Sequence, residues 1–97
     1  MRYTVAELGA ILSCDTYKRS FALYNIEHAE TDSRSVLHPA TTIFFFFCGS
    51  RSNGEDFIPQ LAGEGVRAFV VDSQCVLNLP DACLLRVHSV LGALQQL

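Results

Sequence analysis

The sequence has few charged residues and no long apolar run, and these two absences exclude several classes of protein. Charged residues make up 18% of the 97 residues, against about 25% in typical soluble domains, and the formal net charge is −3. The positive side chains are scattered, so the basic surface typical of nucleic-acid-binding proteins is missing. The longest apolar run, residues 43–48, is far shorter than the ~20 residues of a membrane span. We therefore expect neither a nucleic-acid partner nor membrane insertion.

The sequence also lacks recognised thiol, metal and catalytic motifs. Its four cysteines contain no C-x-x-C pair and its three histidines have no ligand-like spacing. The motifs G-x-S-x-G, H-E-x-x-H and G-x-x-x-x-G-K-[ST] are absent. With no signal peptide visible, we interpret Cys14, Cys48, Cys75 and Cys83 as small, reduced, buried side chains of a cytoplasmic protein. A small thiol enzyme is an alternative, which slow alkylation of all four thiols would exclude.

What is present is a composition suited to one compact domain. Hydrophobic residues make up 49% of the chain, and 97 residues are enough for one core and too few for two. Thr4 and Glu7 have capping-box spacing, which predicts a helix over residues 5–12. Residues 21–30 predict one strand or two, and residues 31–34 form a polar cluster that closes the strand.

Residues 41–48 are the clearest strand, apolar on both faces and therefore expected in the centre of a sheet. A polar loop at 49–54 then precedes a helix that Gly63 and Gly65 end, with Pro59 tolerated if it lies in the first turn. Further strands are predicted at 67–72 and 84–87, and Ser89 caps a closing helix. The expected buried face of the first of these helices is Phe57, Ile58, Leu61 and Ala62, and the closing helix has Val90, Leu91, Leu94 and Leu97 on one side. This order indicates an α/β fold, a small mixed sheet between helices.

Two polar segments follow predicted strands, where ligands bind in open α/β sheets. Residues 49–54 place two hydroxyls, Arg51 and a helix N-terminus together, which favours a diphosphate or carboxylate. Residues 31–34 contain Ser33, which suits a uracil edge, and Asp32 and Arg34, which either form a structural ion pair or contact a ligand. Polar turns of this kind are common, so neither segment alone defines a site.

The two segments together resemble a known family. The order Asp32-Ser33-Arg34, a hydrophobic strand ending in Gly49, the turn Asn53-Gly54, a helix, and G-V-R-A-F-V-V at 65–71 is similar to the N-terminal domain of the Mur ligases. The likeness is greatest to the ligase that adds D-alanyl-D-alanine to UDP-N-acetylmuramoyl-tripeptide, including the branch fused to an alanine racemase, and the tripeptide-forming ligase shares the domain type. It implies one UDP-sugar-binding domain over residues 1–97, a fragment of a longer multidomain enzyme.

The resemblance also implies roles for particular residues. Asn53 stands where the family usually has Asp, and Glu55 where it often has His or Arg, so we expect the fold to persist and the affinity for a diphosphate to fall. Asp32 and Arg34 are expected to brace the site. The implied UDP-binding residues are Thr31, Ser33, Arg34, Ser50, Arg51, Ser52 and Asn53.

The partners that the resemblance implies are UDP-N-acetylmuramoyl-peptide and a following ATP-binding domain of the same chain. The full enzyme would activate a carboxylate as an acyl phosphate with ATP and magnesium bound in those further domains. This fragment would hold no cofactor and have no activity alone. The alternative is a ligand-free interaction module of the same fold, which the departures at Asn53 and Glu55 motivate and which the face of Leu91, Leu94 and Leu97 would serve.

Overall fold

A parallel sheet of four strands forms the centre of the protein. The structure, a computed structural model, describes residues 2–14, 17–46, 54–73 and 79–97. Its strands are β1 (Tyr3–Thr4), β2 (Asn25–Ile26), β3 (His28–Glu30), β4 (Thr42–Phe45), β5 (Ala68–Asp72) and β6 (Cys83–Val87). Its α-helices are α1 (Val5–Ile11), α2 (Gly54–Gly63) and α3 (Val90–Gln95). The parallel sheet has the order β3-β4-β5-β6, and β1 and β2 form a separate antiparallel pair.

The α/β fold predicted from the sequence is confirmed, with its parallel and antiparallel strands in two different sheets. The predicted central strand is also confirmed, since β4 lies between β3 and β5 and all four of its residues are buried. The segment 21–30 forms two short strands, one in each sheet. Strand β1 was not predicted, because two residues before a helix cap carry no periodic pattern.

The run of phenylalanines divides between the two faces of the sheet. Successive side chains of a strand point to opposite faces, so neighbouring phenylalanines enter different cores. Phe45 is fully buried in the core beneath α1 and α3. Phe44 is buried in the core beneath α2, where its ring meets Phe69 edge-on with centroids 6.5 Å apart. Phe46 packs at the border of that second core.

The start of α1 is the predicted capping box. The amide of Glu7 donates to the Thr4 hydroxyl at 3.2 Å, and the Thr4 amide donates to the Glu7 carboxylate at 2.8 Å. These bonds satisfy two amides that an α-helix leaves without an intrahelical partner. Val5 and Leu8 of α1 are fully buried. The helix therefore begins where its sequence signal predicts.

Helix α2 ends in a backbone motif built on Gly65. The amide of Val66 donates to the Leu61 carbonyl and that of Gly65 to the Ala62 carbonyl, both at 3.1 Å, which is the Schellman arrangement. Gly65 has φ +116°, a region that residues with a Cβ rarely adopt. Val66 and Leu61 are buried in the same core. The predicted role of Gly65 as a terminator is confirmed.

Pro59 does not meet the condition under which it was expected to be tolerated, a place in the first turn of α2. The helix begins at Gly54, which places Pro59 in its second turn. A proline there has no amide to donate to the carbonyl four residues earlier, at a cost of about 3 kcal/mol in a helix interior. The flanking Ile58 and Leu61 are almost completely buried, and their burial offsets this cost.

Helix α3 begins at the predicted cap, and its predicted apolar side is partly buried. The Gly92 amide donates to the Ser89 hydroxyl at 3.0 Å. Val90 and Ala93 are buried, whereas Leu91 and Leu97 are 55% and 40% exposed. Val90, Ala93 and Leu94 have helical spacing and pack against one core. The predicted side of Val90, Leu91, Leu94 and Leu97 is therefore divided between buried and exposed positions.

Two of the four cysteines lie in the described residues, and both are buried thiols as predicted. Cys14 and Cys83 belong to the core beneath α1 and α3. Burial raises the pKa of the Cys83 thiol. A raised pKa lowers the fraction of reactive thiolate near neutral pH, which disfavours a nucleophilic role for Cys83. Cys48 and Cys75 lie outside the described residues.

Candidate functional site

The predicted ligand segments leave the parallel sheet at one edge. Strands β3 and β4 are parallel neighbours, with Glu30 paired in register with Phe44. The chain therefore leaves both strands at the carboxyl edge of the sheet, first towards residues 31–35 and then towards residues 47–53. Helix α2 begins at Gly54, directly after the second segment. Ligands of open parallel sheets bind outside this edge.

Residues 31–35 form a short turn at this edge. The Ser35 amide donates to the Asp32 carbonyl at 3.0 Å, which closes a turn of 3₁₀ helix over Ser33–Ser35. The Arg34 amide donates to the Asp32 carboxylate, also at 3.0 Å. Thr31 and Arg34 are exposed. Ser33 opens the turn, and its side chain lies outside the described atoms.

Arg34 is held by Asp32. Its Nε donates to Asp32 Oδ1 at 3.2 Å and its Nη2 to Asp32 Oδ2 at 3.0 Å, which is a two-pronged ion pair. These hydrogen bonds lower the pKa of the Asp32 carboxyl and raise that of the Arg34 guanidinium. Asp32 and Arg34 therefore form the structural ion pair that was one of the two expectations for them. The Arg34 side chain is also 88% exposed, so its guanidinium can contact a ligand while it is paired with Asp32.

For the second predicted segment, residues 49–54, the structure describes the chain up to Phe46 and again from Gly54, the first residue of α2. The Phe46 amide donates to the Val70 carbonyl at 2.9 Å, which extends the pairing of β4 and β5 by one residue. Ser50, Arg51, Ser52 and Asn53 lie outside the described residues, so their predicted role stays a prediction. The first turn of α2 points its free amides towards the preceding segment, as in any helix.

Two further polar residues, Asp72 at the end of β5 and His88 after β6, also lie at this edge. No ligand role was predicted for them. Asp72 ends β5 and is paired in register with Val87, and His88 follows β6. Asp72 is half-buried and His88 is exposed. Only strand order reveals this placement, because neither residue lies in a motif.

The described residues contain no sign of a buried reaction centre. No buried side-chain nitrogen or oxygen among them lacks a hydrogen-bond partner. No group of three or more His, Cys, Asp or Glu side chains within the same residues is arranged to hold a metal ion. Surface cavities of about 400 Å³ beside α1 and about 290 Å³ at the amino edge lie away from the two segments. No helix in the described ranges is long and apolar enough to cross a bilayer.

A parallel sheet with helices on both faces defines the class of open α/β domains, and the ligands of such domains bind outside the carboxyl edge of the sheet. Solved structures with this fold include the UDP-N-acetylmuramoylalanyl-D-glutamyl-2,6-diaminopimelate--D-alanyl-D-alanyl ligase of Acinetobacter baumannii. That structure is 20% identical in sequence, and the match covers 100% of this chain and 21% of that chain with a TM-score of 0.77. Two crystal structures of MurF from the same organism are 21% identical, match 100% and 99% of this chain and 20% of theirs, each with a TM-score of 0.75.

These likenesses confirm the fold that the resemblance to the Mur ligases implied. At 20–21% identity they show the fold alone, and the chain spans about a fifth of the length of the solved structures it matches. The sequence matches no protein-family model and no curated protein.

Proposed function

We propose that this chain binds the uridine diphosphate end of UDP-N-acetylmuramoyl-peptide for a Mur ligase. The observation that carries the proposal is the match over the whole chain to structures of MurF, with TM-scores of 0.75–0.77. The name printed for one of those structures describes a D-alanyl-D-alanyl ligase, so we propose the same step for the enzyme to which this domain contributes.

The carboxyl edge of the sheet supports the placement of this site. Thr31, Ser33 and Arg34 follow β3, and residues 50–53 follow the neighbouring strand β4, so one ligand can span both segments. Two guanidinium nitrogens of Arg34 donate hydrogen bonds to the Asp32 carboxylate, and these bonds limit the orientations of the guanidinium before a ligand binds. Preorganised donors lose less conformational entropy on binding than mobile ones.

In this proposal the domain anchors substrate and does not carry out the reaction. ATP and magnesium would bind in further domains of a longer, cytoplasmic enzyme, where the peptide carboxylate is activated as an acyl phosphate. Binding energy from the remote uridine end would then help to position the reacting groups. The isolated 97-residue chain would bind substrate and have no ligase activity.

The experiment is a titration of the isotope-labelled chain with UDP, then with UDP-N-acetylmuramoyl-tripeptide, followed through backbone amides by NMR. We expect weak, saturable binding with a dissociation constant of about 1 mM, equivalent to about −4 kcal/mol. The shifted amides should cluster at residues 31–34 and 49–54. Shifts spread over the whole chain, or confined to the cavity beside α1, would contradict the proposed site.

A double variant, Ser33→Ala with Arg51→Ala, tests the assigned side chains. We expect it to raise the dissociation constant at least about tenfold, because it removes a hydroxyl and a charged donor to the ligand. The matched control is Arg2→Ala with Ser20→Ala, which removes the same residue types at exposed positions away from both segments. Unchanged binding in the test variant would reject the assignment.

The alternative function, a ligand-free interaction module, has support in one observation. Leu91 of α3 and Leu97, two residues beyond its end, expose apolar surface. If no amide shifts at millimolar ligand, this alternative becomes the favoured one, and Leu91→Ser with Leu97→Ser would then be compared with the unaltered chain for partner binding.

A further inference from the structure

Two histidines far apart in sequence lie together on the surface. The rings of His28 and His38 are stacked, with centroids 4.8 Å apart and planes inclined by 17°. Both residues are exposed. His28 is the first residue of β3, so the pair lies at the amino edge of the sheet, opposite the edge where β3 leads to Thr31.

Backbone hydrogen bonds set the distance between the two histidines. His28 is paired in register with Thr42, the first residue of β4. The His38 carbonyl accepts from the Thr42 hydroxyl at 2.7 Å and from the Thr41 amide at 3.1 Å. The Glu27 amide, next to His28, donates to the Thr41 carbonyl at 2.8 Å. Both histidines are thus tied to the same two residues, and folding alone brings the rings together.

We propose that His28 and His38 form a binding site for a borderline divalent transition-metal ion such as Zn²⁺. Neutral imidazole is the commonest protein ligand for these metals, and the two rings come from fixed backbone positions. The nitrogen lone pairs lie in the ring planes, so they do not converge on one point while the rings are stacked. Rotation of the side chains opens the stack, and because both rings are exposed, no core packing opposes the rotation.

The number of protein ligands defines the kind of metal site. No group of three or more ligating side chains occurs among the described residues, so water completes the coordination sphere of the metal. Structural zinc sites use four protein ligands, and a site with two is expected to exchange its metal. Hard cations such as Mg²⁺ prefer oxygen ligands and are expected to bind poorly here. The net charge of −3 favours a cation over an anion.

The test is a titration of the full 97-residue chain with Zn²⁺, observed through the ring protons of all three histidines by NMR. We expect the signals of His28 and His38 to shift together and to saturate along one binding curve. His88, which is exposed at the opposite edge of the sheet, is the internal control and should shift less. A parallel titration with Mg²⁺ should leave all three signals unchanged.

Two variants test whether the rings act as a chelating pair. Because the second bond of a chelate forms intramolecularly, linked sites gain about 10²–10⁴ in apparent affinity. Either His28→Gln or His38→Gln should therefore weaken Zn²⁺ binding at the remaining ring at least about tenfold, while His88→Gln leaves binding at the pair unchanged. Equal and independent shifts of the three histidines, or no loss in either variant, would overturn the proposal. If a variant fails to fold, the ring signals of the unaltered chain decide the question.

Discussion

The two faces of the parallel sheet are covered in different ways. On one face, α1, α3 and the antiparallel pair β1–β2 cover a cluster in which the structure describes 14 buried residues. On the other face, α2 covers a cluster in which it describes eight. Each of the central strands supplies both clusters by alternation, as Phe44 and Phe45 show. The strands therefore contribute side chains to both faces, and the two faces differ in the elements that the structure describes above them.

Hydrogen bonds fix the ends of the helices on both faces. Helices α1 and α3 are fixed at their starts by side chains, Thr4 and Ser89. Helix α2 ends in a backbone motif that depends on the positive φ of Gly65. Helix α1 ends in the same arrangement at Ser13, which has φ +56°, because the Cys14 amide donates to the Gly9 carbonyl at 2.7 Å and the Ser13 amide to the Ala10 carbonyl at 3.3 Å. A backbone motif with a positive φ therefore ends a helix on each face, with glycine at that position on one face and serine on the other.

The largest expected effects come from the two neighbouring phenylalanines. Phe45→Ala should lower the free energy of unfolding by about 4 kcal/mol and Phe44→Ala by about 3 kcal/mol. The difference follows because, in the described ranges, Phe44 lies beneath one helix and Phe45 beneath two, and a cavity beneath one helix can collapse more easily. Denaturant unfolding of both variants measures it. Leu37→Ala, at an 80% exposed side chain, is the control and should change stability by less than about 0.5 kcal/mol. A larger loss of stability for Phe44→Ala than for Phe45→Ala would show that the face beneath α2 is the less tolerant of a cavity.

A pair of glycine variants in α2 should have effects of opposite sign. Gly65→Ala should destabilise by about 1–2 kcal/mol, because alanine resists φ +116° and its Cβ would lie 3.2 Å from Pro39 Cβ. Gly63→Ala is the matched control, since a Cβ there meets nothing within 4 Å and alanine favours the helix by up to about 1 kcal/mol. Thermal unfolding of both variants provides the measurement. Destabilisation by both would show that the end of α2 is intolerant of any side chain.

Removal of the side-chain caps should cost less. Thr4→Ala removes the hydroxyl that accepts from the Glu7 amide, keeps the backbone amide that donates to the Glu7 carboxylate, and should cost about 1 kcal/mol because the two bonds support each other. Ser89→Ala breaks a single bond and should cost about 0.5 kcal/mol. Ser20→Ala, at an exposed position outside the α-helices, is the control. If Ser89→Ala proved the more damaging variant, α3 rather than α1 would depend more on its cap.

The smallest effect concerns Asp32, which belongs to neither face. The guanidinium of Arg34 lowers the pKa of the Asp32 carboxyl, so the ion pair stabilises the fold above the unfolded-state pKa. That contribution is lost as the pH falls through the lower, folded-state pKa. The side chains of Arg34 and Asp32 are 88% and 44% exposed, so solvent screens the ion pair and we expect little change in stability. Carboxyl NMR titration of Arg34→Ala should show the Asp32 pKa returning towards its ordinary value, while Arg19→Ala leaves it lowered. An Asp32 pKa unchanged by Arg34→Ala would contradict this cause.

Part of the candidate site could be predicted from sequence, and part required strand order. The segment with Thr31, Ser33 and Arg34 was predicted from its polar motif after a strand, and the structure places it at the carboxyl edge of the sheet. The grouping of Asp72 and His88 at this edge depends on the pairing of β5 with β6, which is a contact between distant parts of the chain. No local pattern carries that information. The assigned UDP contacts stay predictions.

The sequence by itself determined the local signals: the capping box of Thr4 and Glu7, the glycine that ends α2, and the apolar run that becomes β4. Each depends on hydrogen bonds or conformational limits within a few residues, so each can be recognised locally. Only the tertiary structure decided the second-turn position of Pro59, the exposure of Leu91 and the stacking of His28 on His38. Packing and strand pairing join residues that are distant in sequence, and the physical reason for these features lies in those long-range contacts.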